Sequence, residues 1–192
     1  MVFAALVVFM GLVFALPLVR LWRRHRVLGL VVHKKDPVER VIGVALGSLM
    51  GALTVWSLVA DRFVSWAVPA WVHVAGWGAI AGGLALIVLA QAQMGASWRI
   101  GIDSKPTELV TAGLYRWVRN PIYSAMALTL AGVAGVTPHP LPLLAAVAAV
   151  AAMALQTRRE ERHLLRLHGA RYRTYASGVG RFIPFVGRLA GS

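Results

Sequence analysis

Residues 120–157 read NPIYSAMALTLAGVAGVTPHPLPLLAAVAAVAAMALQT and contain no Asp, Glu, Lys or Arg. A helix needs about 20 apolar residues to cross a bilayer, so this stretch is long enough for two crossings. The Thr-Pro-His-Pro cluster at 137–140 interrupts it, because proline lacks a backbone donor and breaks a helix. The stretch therefore predicts a helical hairpin in a membrane, with helices at about 121–137 and 141–157.

Charged residues are absent from three further long stretches of the chain, namely 1–19, 41–60 and 63–98. A charge at the centre of a span costs about 2.5–3.5 kcal/mol, so we expect these stretches to be spans, with helices at about 2–22, 41–60 and 68–91. The 58% hydrophobic content also lies outside the soluble range. The sequence predicts an all-α, polytopic membrane helix bundle of about five transmembrane helices.

The formal charge of +13 would suggest a nucleic-acid partner for a soluble protein. The basic residues, however, lie between the apolar stretches. Lys and Arg number seven in 20–40, one in 61–62, four in 99–119 and eight in 158–192. By the positive-inside rule this alternation places the N-terminus outside and the C-terminus in the cytoplasm. We therefore expect membrane lipids as partners and no nucleic acid.

The ends and the composition refine this expectation. The first apolar stretch runs into Arg20-Leu21-Trp22-Arg23-Arg24 and not into a cleavage site of small residues, which favours a retained helix over a signal peptide. The chain has no Cys, and the spacing of its six His residues predicts no metal site. The preference for Arg over Lys and the high Ala and Gly content indicate a prokaryotic inner (plasma) membrane protein of undetermined oligomeric state.

The segment between the third and fourth spans is too long and too aromatic for a simple connector, since it contains Trp98, Tyr115 and Trp117. We expect two parts in the chain. Residues 1–91 hold three N-terminal spans and the basic loop 20–40. Residues 92–192 hold a cofactor-binding loop at 92–120, the hairpin at 121–157, and a cytoplasmic helix with an interfacial tail at 158–192.

Asn120 and Pro121 predict the start of the fourth span, because Asn is a preferred N-cap and Pro a preferred first-turn residue. The helix dipole and Arg119 beside it suit a carboxylate or phosphate. Tyr115 and Tyr123 flank this corner and could present their rings to a flat base or a cation. The alternative is a well-capped membrane entry with interfacial aromatic residues.

Glu160 and Glu161 follow directly after the fifth span. Leu164 and Leu165, four residues further on, cannot pair with them. If the helix continues past the membrane, the two carboxylates lie near the base of the hairpin, where they could pair with Arg119 or accept from a ribose or an amine. The alternative is a solvated helix face.

These residues belong to one longer pattern. It reads Leu109-Val110-Thr111-x-Gly113-x-Tyr115-x-x-x-Arg119-Asn120-Pro121-x-Tyr123, then Glu160-Glu161-x-x-Leu164-x-x-x-x-Gly169-x-x-Tyr172-x-x-Tyr175, then Arg181-Phe182-Ile183-Pro184. The pattern resembles the isoprenylcysteine carboxyl methyltransferase family and its phospholipid methyltransferase relatives, over roughly residues 93–184.

The resemblance implies S-adenosyl-L-methionine in a cytoplasm-facing pocket and a small lipophilic acceptor that enters from the bilayer. It places these residues in the cofactor pocket: Tyr115, Arg119, Asn120, Pro121, Tyr123, Glu160 and Glu161, with Trp98 and Arg99 beside it. Members that methylate prenylcysteine typically have His where this chain has Asn120, so a hydrogen-bonding role is kept and a titrating one is lost.

The expected reaction is carboxylate O-methylation or lipid amine N-methylation, with Arg119, Glu160 and Glu161 as the catalytic residues. A carboxylate acceptor needs no base, whereas an amine must first lose a proton, for which Glu160 or Glu161 is nearest. Two other functions remain open. One is an NADPH-dependent sterol-type membrane reductase, whose relatives generally have more spans and a Cys-containing motif. The other is a non-enzymatic membrane module, and here neither an intramembrane charge nor an internal repeat points to transport.

Overall fold

The fold comes from a computed structural model, which describes residues 1–16, 19, 23, 37–63, 65–94 and 108–189. The helices are α1 (Val2–Met10), continued by a π-helical turn at Gly11–Ala15, α2 (Pro37–Trp56), α3 (Ala70–Met94), α4 (Pro121–Val136) and α5 (Pro140–Gly178). Short 3-10 turns lie at Ala60–Arg62 and Gly113–Arg116. Within the described residues no strand forms, apart from one isolated parallel bridge between Val118 and Gly180. The predicted all-α class is thereby confirmed for this part of the chain.

The prolines act on the helix ends as predicted. α4 begins at Pro121, and the break before α5 falls in the predicted cluster at 137–140. α2 begins and ends four residues before its predicted limits of 41 and 60, because Pro37 serves as its first residue. The predicted end of the first helix near residue 22 and most of the basic loop 20–40 lie outside the described residues.

α5 differs most from its prediction. The expected hairpin helix at 141–157 and the expected cytoplasmic helix after residue 158 are one helix of 39 residues. Only Gly169, at φ 52°, departs from helical geometry within it and kinks the helix. The side chains of Glu160 and Glu161 are therefore placed by the same rigid element that forms the second arm of the hairpin.

Apolar length separates the helices into two groups. Among the described residues, α3 and α5 are long and apolar enough to cross a membrane, and the helical stretches Val2–Ala15, Arg40–Trp56 and Pro121–Val136 are apolar but shorter. Large apolar side chains also cover the outside, among them Trp71, Val74, Leu144 and Val147. An extended apolar exterior of this kind suits contact with lipid.

α3 and α4 are held together by glycines. A Cβ added to Gly83 would lie 2.8 Å from Ala125 O and would also overlap Thr129, and one added to Gly132 would lie 2.6 Å from Gly76 O. The two backbones approach this closely because no side chain stands between them, as is common where helices pack in membranes. This packing sets the position of Pro121 and of the corner before it.

Residues 179–189 fold back over the start of α4, and we call them the C-terminal segment. Arg119 N donates to Gly180 O at 2.8 Å, and Asn120 N donates to Arg181 O at 3.2 Å. Leu189 N donates to Ala176 O at 3.0 Å and closes the segment onto α5. The fold thus brings the α4 corner, the middle of α5 and the C-terminal segment to one place.

Candidate functional site

Arg119 lies in the interior of this junction, with its side chain 1% exposed. Its Nε donates to Glu161 Oε1 at 3.0 Å. The two terminal nitrogens donate to three backbone carbonyls: Nη1 to Ala176 O at 2.9 Å and to Val179 O, and Nη2 to Gly187 O at 3.0 Å. The planar guanidinium therefore ties α5 and the C-terminal segment to the α4 corner.

Glu161 is the carboxylate at the centre of the site, and the residue is 4% exposed. Its Oε1 accepts from Arg119 and, at 3.3 Å, from Asn120 Nδ2, while its Oε2 lies 2.8 Å from Arg181 Nη2. A buried carboxylate needs paired charge and hydrogen bonds, and Glu161 has two guanidinium partners. The solvated helix face that the sequence left open does not apply to this residue.

Asn120 occupies the N-cap position of α4, but its side chain makes no cap hydrogen bond. Its Nδ2 instead donates to Glu161 and, at 3.1 Å, to Arg181 O. Ser124 Oγ lies 2.6 Å from Phe182 O, to which its hydroxyl donates, and 3.1 Å from Asn120 O. The prediction that the Asn120 side chain caps α4 is therefore wrong, because its amide forms hydrogen bonds with Glu161 and with the C-terminal segment instead.

Glu160 forms a second polar group on the same helix and faces α4. Its Oε1 accepts from Tyr123 Oη at 2.8 Å and from Gln156 Nε2 at 3.1 Å. Thr157 lies one turn before Glu161, is fully buried, and its Oγ1 has no hydrogen-bond partner within the described part of the chain. Sequence reasoning missed Gln156 and Thr157, although their position four residues before the two acids would have indicated them.

Three tyrosines form the other side of the junction. Tyr115 is 6% exposed, its Oη lies 3.5 Å from Ala90 O, and its own carbonyl accepts from Tyr175 Oη at 2.6 Å. Burial raises the pKa of Tyr115 and of Tyr172 well above the usual value, and it raises the pKa of Tyr175 to about 12. These phenols stay protonated at neutral pH, and Tyr115 and Tyr175 serve as donors. The enclosed ring of Tyr115 does not present the open face that we expected for a base or a cation.

Gly113 shapes the approach to Tyr115. Its φ is 61°, and a Cβ there would overlap the side chain of Gln93. The Gln93 Oε1 accepts from Leu114 N at 2.7 Å, so the loop before α4 is fixed to the end of α3. Pro121 is buried at the first turn of α4 and fixes the start of that helix. Trp98 and Arg99 lie outside the described residues.

The structure thus brings Arg119, Asn120, Glu161, Tyr123 and Glu160 to one corner of the bundle. Arg119 contacts Glu161 and backbone carbonyls, and Glu161 also contacts Asn120 and Arg181, whereas Glu160 and Tyr123 are only partly buried. The corner combines a neutralised ion-pair network with a separate, accessible carboxylate. Such an arrangement can position a segment and bind a cation at the same time.

Comparison with known proteins gives two matches. The sequence profile of the phospholipid methyltransferase family matches residues 71–171. A solved structure of a eukaryotic intramembrane Ras methyltransferase, isoprenylcysteine carboxyl methyltransferase, superposes with a TM-score of 0.58 over 97% of this chain and 69% of that chain. The two sequences are 21% identical, so this likeness shows the fold. No curated protein sequence matches the chain.

Proposed function

The chain belongs to the phospholipid methyltransferase family, and we propose that it transfers the methyl group of S-adenosyl-L-methionine to a small lipophilic acceptor held in the membrane. The observation that carries the proposal is the pair of adjacent carboxylates on α5, of which one is neutralised by two guanidinium groups and the other is not enclosed. The family profile covers α3, α4 and both carboxylates. When bound, the cofactor supplies a methyl group on a positively charged sulfur.

The residues at the corner fit this cofactor by their chemistry. S-adenosyl-L-methionine carries positive charge, ribose hydroxyls and an amino group, which call for a carboxylate and for hydroxyl or amide partners. Glu160 supplies the carboxylate, Tyr123 supplies a hydroxyl and Asn120 supplies an amide. The buried Thr157 hydroxyl, which has no partner among the described residues, is free to accept or donate toward a ligand. We assign these four residues to cofactor binding.

Arg119 and Glu161 have a different role in this proposal. Arg119 pairs with Glu161 and donates to backbone carbonyls of α5 and the C-terminal segment, and Glu161 also pairs with Arg181. We therefore infer that Arg119 and Glu161 are positioning residues. They hold the segment against α4, which keeps water out of the corner and aligns donor and acceptor for an in-line displacement. Tyr115 and Pro121 support the same geometry, and Trp98 and Arg99 stay predicted neighbours of the cofactor.

The acceptor decides whether a base is needed. A carboxylate acceptor is already a nucleophile and needs none. For a lipid amine, whose proton must leave before its lone pair can attack, we propose Glu160 as the base, because both oxygens of Glu161 are already in contact with guanidinium groups, whereas Glu160 is only partly buried. Tyr123, which donates to Glu160, orients the carboxylate.

The placement in the membrane follows the charge pattern. We propose five spans, formed by α1, α2, α3, α4 and the first part of α5, in a prokaryotic inner membrane. The N-terminus lies outside, and the basic residues from Arg158 onward lie in the cytoplasm. The cofactor corner then faces the cytoplasm, where the cofactor is available.

Calorimetric titration of the detergent-purified protein with S-adenosylhomocysteine tests the proposal. We expect saturable binding that Glu160→Gln weakens at least tenfold, while Glu108→Gln, the same substitution at an exposed position, leaves it unchanged. Incubation with methyl-labelled cofactor and total lipid extract should then label a lipid-soluble product. A folded wild-type protein that binds no S-adenosylhomocysteine would overturn the proposal.

A further inference from the structure

A cavity of about 630 Å³ lies between the start of α2 and the middle of α5, next to the ion-pair network. The C-terminal segment closes it on the third side through Arg181 and Leu189. The volume falls within the range of ligand sites, about 300–1,000 Å³. None of the four residues that we assign to cofactor binding lines it, although the positioning residue Glu161 and its partner Arg181 do.

One wall of the cavity is cationic. Among the described residues it contains four arginines: Arg158, Arg159, Arg162 and Arg181. Its only lining carboxylate in that set is Glu161, which Arg119 and Arg181 already neutralise. The exposed Arg158 and Arg162 therefore give this wall a positive charge that an anion would compensate.

Two details indicate that the arginines are arranged for a ligand. Arg158 and Arg162 lie four residues apart on α5, and like charges at this spacing destabilise a helix, so a bound anion would relieve the repulsion between them. Arg162 Nε donates to the backbone oxygen of Arg158 at 3.2 Å, which holds the Arg162 side chain along this face of α5. The Nε of Arg181 is buried and has no hydrogen-bond partner within the part of the chain that the structure describes.

The apolar lining consists of Val38 and Ile42 on α2, Leu155 and Leu165 on α5, and Leu189 in the C-terminal segment. Val38 and Leu155 are 48% and 54% exposed. Leu155 belongs to the charge-free part of α5, and the charges begin three residues later at Arg158, a rise of about 4.5 Å along the helix. The cavity thus places apolar side chains directly beside the first arginines that follow the charge-free part of α5.

We propose that this cavity binds an anionic phospholipid of the cytoplasmic leaflet as a site separate from the methyl acceptor and the cofactor. The lipid phosphate contacts Arg158, Arg162 and Arg181, and an acyl chain lies along Val38, Ile42 and Leu155. The site prefers an anionic to a zwitterionic headgroup, because Glu161 is the lining carboxylate that an ammonium would need and two guanidinium groups already hold it. The bound lipid joins α2 to α5 and holds Arg181 in place.

The test measures the thermal unfolding midpoint of delipidated protein in a non-ionic detergent, without cofactor, during titration with short-chain phosphatidylglycerol. We expect a saturable rise of the midpoint. The Arg158→Ala/Arg162→Ala variant should need at least tenfold more lipid for half of this rise. The control Arg166→Ala/Arg171→Ala removes two exposed arginines of the same helix outside the cavity and should respond like the wild type.

Four results would overturn the proposal. An equal rise with phosphatidylcholine of the same chain length would contradict the requirement for an anionic headgroup. An equal rise with inorganic phosphate would contradict the requirement for a lipid. An equal loss in the control variant would show a general surface-charge effect. Loss of S-adenosylhomocysteine binding in Arg158→Ala/Arg162→Ala would assign the cavity to the cofactor. If the double variant does not fold, Arg158→Gln and Arg162→Gln take its place singly.

Discussion

Arg119 Nε and Glu161 Oε1 lie 3.0 Å apart in the interior of the protein, although the two residues are 42 positions apart in the chain. This ion pair joins the corner before α4 to the middle of α5. Because Arg119 also donates to three carbonyls of α5 and the C-terminal segment, one side chain fixes three parts of the chain. Under the proposed function, stability and cofactor binding are therefore coupled at this residue.

Arg119→Lys should loosen the C-terminal segment even though it keeps the positive charge. A lysine ammonium cannot reproduce the planar set of donors to Ala176, Val179 and Gly187. We expect trypsin to cleave after Arg181 and Arg188 at least tenfold faster than in the wild type. Arg116→Lys, at an exposed position in the same loop, should leave the cleavage rate unchanged, and equal rates in both variants would contradict the structural role of Arg119.

Removal of the Glu161 charge should be more damaging than removal of the Glu160 charge. Glu161→Gln leaves two guanidinium groups without their carboxylate in a buried site, and breaking a buried pair typically costs about 3–5 kcal/mol. Glu160→Gln changes a partly buried group and should lower the unfolding midpoint far less. Thermal melts of the two variants in one detergent compare them directly. The reverse order would argue against our division into a positioning and a cofactor-binding carboxylate.

The protein should lose stability at alkaline pH. Burial raises the pKa of Tyr175 to about 12, and raises those of Tyr115 and Tyr172 as well, from the usual value near 10. A raised pKa in the folded state means that the stabilising contribution is complete below pH 10 and is lost as pH rises from about 10 to 12. Melts between pH 8 and 11 should show a flat midpoint that falls above pH 10.

Tyr175→Phe provides the control for this alkaline loss. It removes a titrating phenol together with the 2.6 Å hydrogen bond to Tyr115 O. The variant should be less stable at pH 8 and should lose less of its remaining stability between pH 10 and 11. A slope identical to that of the wild type would exclude Tyr175 as a cause of the loss.

Close packing of α3 on α4 predicts opposite effects for two adjacent glycines. Gly83→Ala places a methyl group against Ala125 O and Thr129, and overpacking of this kind costs about 1–3 kcal/mol. Gly82→Ala meets nothing within 4 Å, so the better helix propensity of Ala should leave stability equal or slightly higher. The unfolding midpoints of the two variants give the comparison, and equal loss in both would contradict the packing.

Gly180→Ala should impair the site without affecting the spans. A Cβ at Gly180 would overlap Ile183 O and lie 2.7 Å from Phe185 N, so the C-terminal segment would have to move away from Arg119. We expect weaker S-adenosylhomocysteine binding by at least tenfold, with helix content unchanged in circular dichroism. Gly178→Ala, which meets nothing within 4 Å, should bind normally.

The sequence by itself determined the helical class and most helix limits, because charge exclusion and proline act locally. The break at 137–140 and the start of α4 at Pro121 follow from prolines that remove a donor wherever they stand. Adjacent carboxylates at the end of an apolar stretch likewise indicated a site before any contact was known. The proximity of Arg119 to Glu161 was expected on the condition that the last helix continues, and α5 does continue to Gly178.

Only the tertiary structure decided what those residues contact. The enclosure of Arg119 by the carbonyls of Ala176, Val179 and Gly187 depends on a fold-back of residues 179–189 that no local periodicity describes. Local sequence also does not predict that the Asn120 side chain donates to Glu161 instead of capping α4. Burial and hydrogen bonds between distant residues arise from packing of whole helices, and that packing encloses Glu161 while it leaves Glu160 partly exposed.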